Sequence, residues 1–339
     1  MRRSFRVKTI CAVLISSFVL LSDGCSRHPE SSAVPNTTRK TVTLATGKNI
    51  WCSLALVAKD KGFFEEEGLN VTLNDQDAGR YCMDALLSKS VDFAAVVEAN
   101  FGFVAFTGNR TPVAVAEIVS SSCGIVARKS RSIEKPEDLR GKRIAYTPAT
   151  GADPFLYRFL AKHGVSYKDV ELRKMQPKAI QPAVVAGEVD AASTWEPFIY
   201  NCVNAMKGDA IEFRDPDAFI GYMMLAARRD WTANNKEVVY AMLRALHKAE
   251  LFVANNTTET QAFMARTLEM DQKTVERIWP YFEIRLRMNK QALLQAIRYV
   301  GENAKATDPE FADKPLPDYD GYIDESFLSE SLLSSAKGN

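Results

Sequence analysis

Val189-Asp190-Ala191-Ala192-Ser193-Thr194 reads as a short apolar strand. Val91-Asp92-Phe93-Ala94-Ala95-Val96-Val97 is its counterpart, 98 residues earlier in a chain of 339. Short runs rich in Val and Ala suit strands buried on both faces. Working back from each, one order of elements recurs. In the first half a strand at Val42–Ala45 leads through a loop to an amphipathic helix over Ser53–Lys61, whose apolar positions Leu54, Leu56, Val57 and Ala58 lie near a 3.6 period. Lys61-Gly62 stops that helix, a strand follows at Asn70–Asn74, and a second helix runs over Arg80–Ser88. In the second half the order is a strand Arg143–Tyr146, a loop Thr147–Asp153 and a helix Pro154–Lys162 with Asp153 as N-cap and Pro154 at its first position. A turn at His163-Gly164-Val165, a strand Val170–Lys174 and a helix Ala179–Ala186 complete it. Strands alternating with helices give mainly parallel sheets with helices on both faces. Two such units predict two α/β lobes, with a cleft between the loops at the carboxyl ends of their strands, where open α/β sheets bind ligands.

Beyond Thr194 the pattern predicts a helix over Pro197–Met206 and a strand over Tyr222–Ala227. The remainder reads as helical: Lys236–Val253, Thr257–Thr267, Gln272–Tyr281 and Lys290–Lys305. A Pro/Asp/Tyr-rich tail, Pro315–Asp324, precedes a last short helix at Ser326–Ser335.

Composition narrows the class. With 46% hydrophobic and 25% charged residues the chain is an ordinary globular sequence, not a disordered, collagenous or multi-span one. A formal net charge of +1, with no basic stripe interleaved with aromatics, gives no reason to expect a nucleic-acid partner. The amino end is different in kind. Arg2, Arg3, Arg6 and Lys8 precede an apolar run, Thr9–Leu21, of signal-peptide length. Ser22-Asp23-Gly24-Cys25 then resembles a bacterial lipobox, although Leu21 sits one position early and Asp23 is atypical. Residues 1–24 are therefore expected to be a signal peptide and Cys25 to carry a lipid; their removal takes the net charge from +1 to −2. Residues 25–40, rich in Ser, Pro, Thr and Asn, read as a flexible tether. Cys52, Cys82, Cys123 and Cys202 remain, none in a CxxC pair, and there are only three histidines, His28, His163 and His247. That inventory predicts no metal site and implies no cofactor.

Three segments then carry a resemblance. Ala55-Leu56-Val57-Ala58-Lys59-Asp60-Lys61-Gly62-Phe63-Phe64-Glu65-Glu66-Glu67-Gly68-Leu69, Pro136-Glu137-Asp138-Leu139-Arg140-Gly141-Lys142-Arg143-Ile144-Ala145 and Gly187-Glu188-Val189-Asp190-Ala191-Ala192-Ser193-Thr194-Trp195-Glu196-Pro197-Phe198 occur in order. They resemble segments of the ABC-transporter periplasmic solute-binding proteins of the sulfonate, nitrate, taurine and pyrimidine-precursor (NMT1-like) family. The resemblance covers roughly residues 41–330. It implies a type II periplasmic-binding-protein fold, two α/β lobes joined by a two-strand hinge. Lobe one would hold residues 41–119 and 219–312, lobe two residues 120–218, and residues 313–339 would form a C-terminal tail. The implied crossovers fall near Ile118–Cys123 and Asp215–Gly221. The implied function is capture of a small solute (a sulfonate, a taurine-like zwitterion or a nitrogen heterocycle) and its delivery to an ABC permease and its ATPase. A monomer in the cell envelope, held to a bacterial membrane by its lipid, is expected, acting as a binder and not an enzyme. Two other readings of the same segments stand beside this one. A pyrimidine-synthase-like enzyme of the same fold would need a cysteine-rich iron motif, whereas these cysteines are scattered and His163 has no visible base–nucleophile partner. A solute-sensing partner of a signalling system would need an output domain in another chain.

The ligand loops are expected at Gly47–Ser53, Gly79–Cys82, Glu98–Phe101, Thr147–Asp153 and Thr194–Pro197. Helix N-termini bind anions through free backbone N–H groups, which nominates Ser53, Thr150 and Gly151. Lys48 and Arg80 offer charge-assisted bonds to a sulfonate or carboxylate, unless they are ordinary solvated cations. Asn49 and Asn100 lie in the same loops. Trp51, Tyr81, Phe101 and Trp195 offer stacking surfaces, or are simply core. Asp153, Glu98 and Glu196 bring carboxylates, so the expected pocket is of mixed charge and suits a solute with an amine or ring N–H. Cys52 and Cys82 open neighbouring helices and can either form a disulfide or remain buried thiols.

Overall fold

Two sheets organise residues 39–336, the part of the chain that this computed structural model describes. The signal segment, Cys25 and most of the tether lie outside the described residues; Lys40 already belongs to the first strand. Strands are numbered in chain order: β1 Lys40–Thr46, β2 Leu69–Asp75, β3 Phe93–Val97, β4 Pro112–Ser122, β5 Gly124–Arg128, β6 Arg143–Tyr146, β7 Glu171–Lys174, β8 Ala191–Thr194, β9 Ala210–Arg214, β10 Ile220–Arg228 and β11 Phe282–Arg287. One sheet runs β11-β4-β10-β3-β1-β2 and the other β7-β6-β8-β5-β9.

The sequence repeat is a repeat of topology. In lobe one, β1 pairs in parallel with β2 and β3, and β10 runs antiparallel to β3. In lobe two, β6 pairs in parallel with β7 and β8, and β5 runs antiparallel to β8. The paired aspartates of the repeat do equivalent structural work. Asp92 Oδ2 accepts from the Thr43 N–H and hydroxyl, both at 2.9 Å. Asp190 Oδ2 accepts from the Arg143 N–H at 2.9 Å, and its Oδ1 takes Arg143 Nη2 at 2.7 Å. Each ties the entry of a third strand to the first strand of its lobe.

Both sheets are buried on two faces, which explains the unalternating apolar runs. Leu44 and Phe93 pack into one core of lobe one, and Ala45 and Ala94 into the core on the other face. In lobe two Ile144 and Ala191 face one core, Ala145 and Ala192 the other. The chain leaves the first sheet after Ser122 and enters the second at Gly124; it returns between Arg214 and Ile220.

Several expectations are corrected. The helix expected at Pro154 begins at Ala152 with Gly151 as its N-cap, so Asp153 is not the cap but sits buried in the first turn. Glu98–Phe101 is the first turn of a helix, Glu98–Phe106, not a loop. The region after β10 is not all helical: β11 adds to β4 at the sheet edge. Its Phe-Glu-Ile-Arg-Leu-Arg alternation carries the signal, with Phe282 and Leu286 buried between exposed neighbours. Part of the tail belongs to lobe one, since Tyr319, Tyr322 and Ile323 are buried in its core.

Candidate functional site

The strand order second-first-third places a change of winding direction between β1 and β3 and again between β6 and β8. Ligands of open α/β sheets sit in such crevices. The loops there begin at Thr46, Val97, Tyr146 and Thr194, the carboxyl ends of the four strands. The unpaired polar atoms of the protein concentrate at this end. Among the described residues eleven buried side-chain N or O atoms have no hydrogen-bond partner. Six of them are Asn49 Oδ1, Ser53 Oγ, Glu98 Oε1, Thr147 Oγ1, Thr194 Oγ1 and Arg214 Nη1, all at or just past the carboxyl ends of β1, β3, β6, β8 and β9. A seventh, Thr46 Oγ1, has the weakly bonding Cys52 thiol beside it. Each buried orphan costs about 1–3 kcal/mol, and folded proteins keep few of them. A set gathered from both lobes is what a polar solute would satisfy.

Glu98 stands at the centre. Its side chain is buried, and its Oε2 accepts from the Tyr222 N–H of β10 at 2.8 Å. Oε1 has no partner. Two glycines pack beside it: a Cβ on Gly151 would lie 3.3 Å from it, and one on Gly221 3.7 Å. The same two positions would meet Cys123 Sγ at 3.6 Å and Trp51 Cη2 at 3.4 Å. Lobe one (Trp51, Glu98), lobe two (Gly151) and the crossing segments (Cys123, Gly221) therefore converge here. Burial pushes the Glu98 carboxyl up to about 7, against the Tyr222 N–H and its own helix-start N–H, which favour the charged form. Burial also raises the Cys123 thiol, and the Glu98 charge raises it further.

A second carboxylate is held differently. Glu196 is buried, its Oε1 pairs with Arg214 Nη2, and its Oε2 accepts from the Tyr200 N–H at 3.0 Å. Arg214 also reaches Glu212 at 3.0 Å, and its guanidinium lies 4.0 Å from the ring centre of Tyr281, a lobe-one residue. Asp153 is a third: Tyr167 Oη donates to it at 3.2 Å and Asn303, on the lobe-one helix Lys290–Thr307, bonds it as well. Burial raises its pKa, with those hydrogen bonds opposing.

The other expected residues divide. Trp51, Glu98 and Gly151 come together around Gly221, and Asn49 and Ser53 follow β1 with buried, unpaired side-chain oxygens. Thr150 turns back to donate to the Thr147 carbonyl at 2.8 Å. Trp195 rests edge-on against Phe198. Asn100 caps its own helix by accepting from the Val97 N–H at 2.9 Å, and Phe101 is core, packed on Tyr322. Lys48 is solvated and pairs with Asp75 at 3.7 Å. Arg80 stacks on the exposed ring of Tyr81, beside an open hollow of about 350 Å³ lined by Asp75, Gln76, Asp77 and Tyr81. No Cys52–Cys82 disulfide is formed: both are buried free thiols, and Cys52 Sγ instead accepts from the Gly47 N–H at 3.5 Å. Thr46, Thr147, Thr194, Arg214 and Tyr222 were not singled out from the sequence. A threonine at or just past the end of β1, β6 and β8 was the available signal. Arg214 had none, because β9 was not read as a strand. Among the described residues no group of three His, Cys, Asp or Glu side chains is placed to hold a metal ion, and no helix is long and apolar enough to cross a membrane.

A family model described as NMT1/THI5 like matches residues 52–260. A binding protein of Brucella abortus (strain 2308) is 28% identical over 233 residues, covering 66% of this chain and 70% of that one. The taurine-binding periplasmic protein of Escherichia coli (strain K12) is 29% identical over 206 residues, 58% of this chain and 62% of its own. Among solved structures, the periplasmic aliphatic sulphonate binding protein SsuA from Escherichia coli superposes with a TM-score of 0.73 at 16% identity, covering 84% of this chain and 97% of that one. That likeness establishes the periplasmic-binding fold.

Proposed function

The chain belongs to the NMT1/THI5-like family, and from that premise we propose that it is the solute-binding component of an ABC importer. It takes up a small solute, a sulfonate, a taurine-like zwitterion or a nitrogen heterocycle, between its lobes and delivers it to the permease and its ATPase. The observation that carries this reading is the set of orphaned polar atoms found in both lobes, at or past the carboxyl ends of their strands, where a solute between the lobes would meet them. Relatives named for taurine and sulfonate binding support it. The protein works in the cell envelope, as a monomer held to the membrane by a lipid on Cys25. Calorimetry of the purified chain with taurine, ethanesulfonate, nitrate and 4-aminopyrimidine tests the binding, with native mass spectrometry for any solute that copurifies. Binding of one solute per chain is expected. A chain that binds none, carries none and leaves uptake unchanged when its gene is deleted would refute the reading. Globomycin-sensitive labelling with a fatty acid, lost in Cys25→Ala, tests the anchor.

A further inference from the structure

The crevice is short of positive charge. Glu98, Glu196 and Glu212 bring three carboxylates to it, and Arg214 is the guanidinium that answers them, its Nη2 held by Glu196 and Glu212 and its Nη1 left without a partner. The cations of the nominated loops do not help: Lys48 pairs with Asp75 in solvent and Arg80 lies on Tyr81. Around Glu98 stand the Tyr222 N–H, its own helix-start N–H, the Cys123 thiol, Phe219, the two glycine backbones and the edge of the Trp51 ring, none of them cationic. A bare oxyanion placed there would be repelled by the ionised form of Glu98. A donor placed there would satisfy that orphan and, if cationic, would also pair with the buried carboxylate. Gly151 and Gly221 leave the carboxylate uncovered by side chains of their own, since a Cβ on either would lie within 3.7 Å of Oε1.

We propose that Glu98 is the specificity-determining residue of the cleft, and that its Oε1 receives an N–H donor of the solute, carried on an ammonium, amidine or amino-heterocycle group. This rests on the solute-binding reading and narrows it: sulfonates and heterocycles without such a donor are excluded. Glu98 also opens a helix, where a carboxylate is favoured by the helix dipole alone. The test therefore compares ligands as well as variants.

Calorimetry on the full mature chain compares two matched pairs, taurine with ethanesulfonate and 4-aminopyrimidine with pyrimidine, in wild type and Glu98→Gln. In at least one pair the aminated member should bind about tenfold more tightly or better, the scale of one charge-assisted hydrogen bond. Glu98→Gln, which keeps an oxygen for the Tyr222 N–H, should remove most of that gap. Equal or tighter binding of the unaminated members by wild type overturns the proposal and leaves the solute-binding reading standing. So does a gap that survives Glu98→Gln. If neither pair binds, the copurified solute decides by mass spectrometry: one without an N–H donor overturns the proposal, and one with a donor that is lost from Glu98→Gln supports it. No bound or copurified solute at all refutes both readings together.

Discussion

Glu98 and Glu196 hold the same place in the two lobes. Each stands six residues after the aspartate of its Val-Asp pair. Each follows the third strand of its half-repeat and accepts one backbone N–H, from Tyr222 at 2.8 Å and from Tyr200 at 3.0 Å. They differ in what answers the charge. Glu196 has a guanidinium on one oxygen, while Glu98 has an orphaned oxygen and no cation. One scaffold position thus serves two ends. In lobe two the carboxylate anchors Arg214 against Tyr281 of lobe one; in lobe one it is held ready for something the chain itself does not supply.

The contrast is most easily broken at Arg214. Arg214→Met strands the Glu196 carboxylate without its partner, and removal of one member of a buried pair costs about 3–5 kcal/mol. Urea unfolding near neutral pH should show a loss of that size; a loss under about 1 kcal/mol would mean that Glu196 is no better neutralised than Glu98. Glu98→Gln should act in the opposite direction. Its carboxyl titrates at about 7 in the folded chain against 4.5 ordinarily, so the folded state binds the extra proton between those values. The resulting stability is fully present below 4.5 and is lost as pH rises through about 7. Above that range the ligand-free variant should exceed wild type by up to about 3 kcal/mol, with the difference vanishing in acid. Denaturant midpoints followed across pH check it, and a flat difference would sink the idea that the Glu98 charge is uncompensated.

Gly151→Ala sharpens the picture at smaller cost to the fold. Gly151 has ordinary right-handed dihedrals, so alanine fits the backbone, but its methyl would stand 3.3 Å from Glu98 Oε1. Solute affinity should fall about tenfold, the loss of roughly one good hydrogen bond, with stability changed by less than about 1 kcal/mol. Smallest of all, Lys48→Ala should leave both affinity and stability within error, because its pair with Asp75 is solvated. Loss of binding in that variant would bring the outer loop into the site.

Much of this was legible in the residues. The repeated Val-Asp strands are apolar through and through because both faces are covered, and that pattern survives in a single sequence. Two lobes followed, and so did the crevice at the strand ends. Local signals failed where partners are distant. Asp153 before Pro154 reads as an N-cap, yet the helix starts one residue sooner and the carboxylate turns inward to Tyr167 and Asn303. β11 carries its signal in the Phe282–Arg287 alternation, but a lone six-residue strand is fixed only by pairing with β4, some 160 residues away. For Lys48 and Arg80 the sequence left both roles open, and the structure has Lys48 paired with Asp75 and Arg80 laid on Tyr81.

The sequence by itself determined the half-repeat, the two-lobed class and the presence of carboxylates near the carboxyl ends of the strands. These are properties of local periodicity and residue type, which act over a few residues. Tertiary structure decided which carboxylate is neutral in effect and which is not. Glu196 meets Arg214 across 18 residues, and Glu98 meets the Tyr222 N–H across 124. Charge compensation depends on distance in space and on exclusion of water, and neither is fixed until the lobes are assembled.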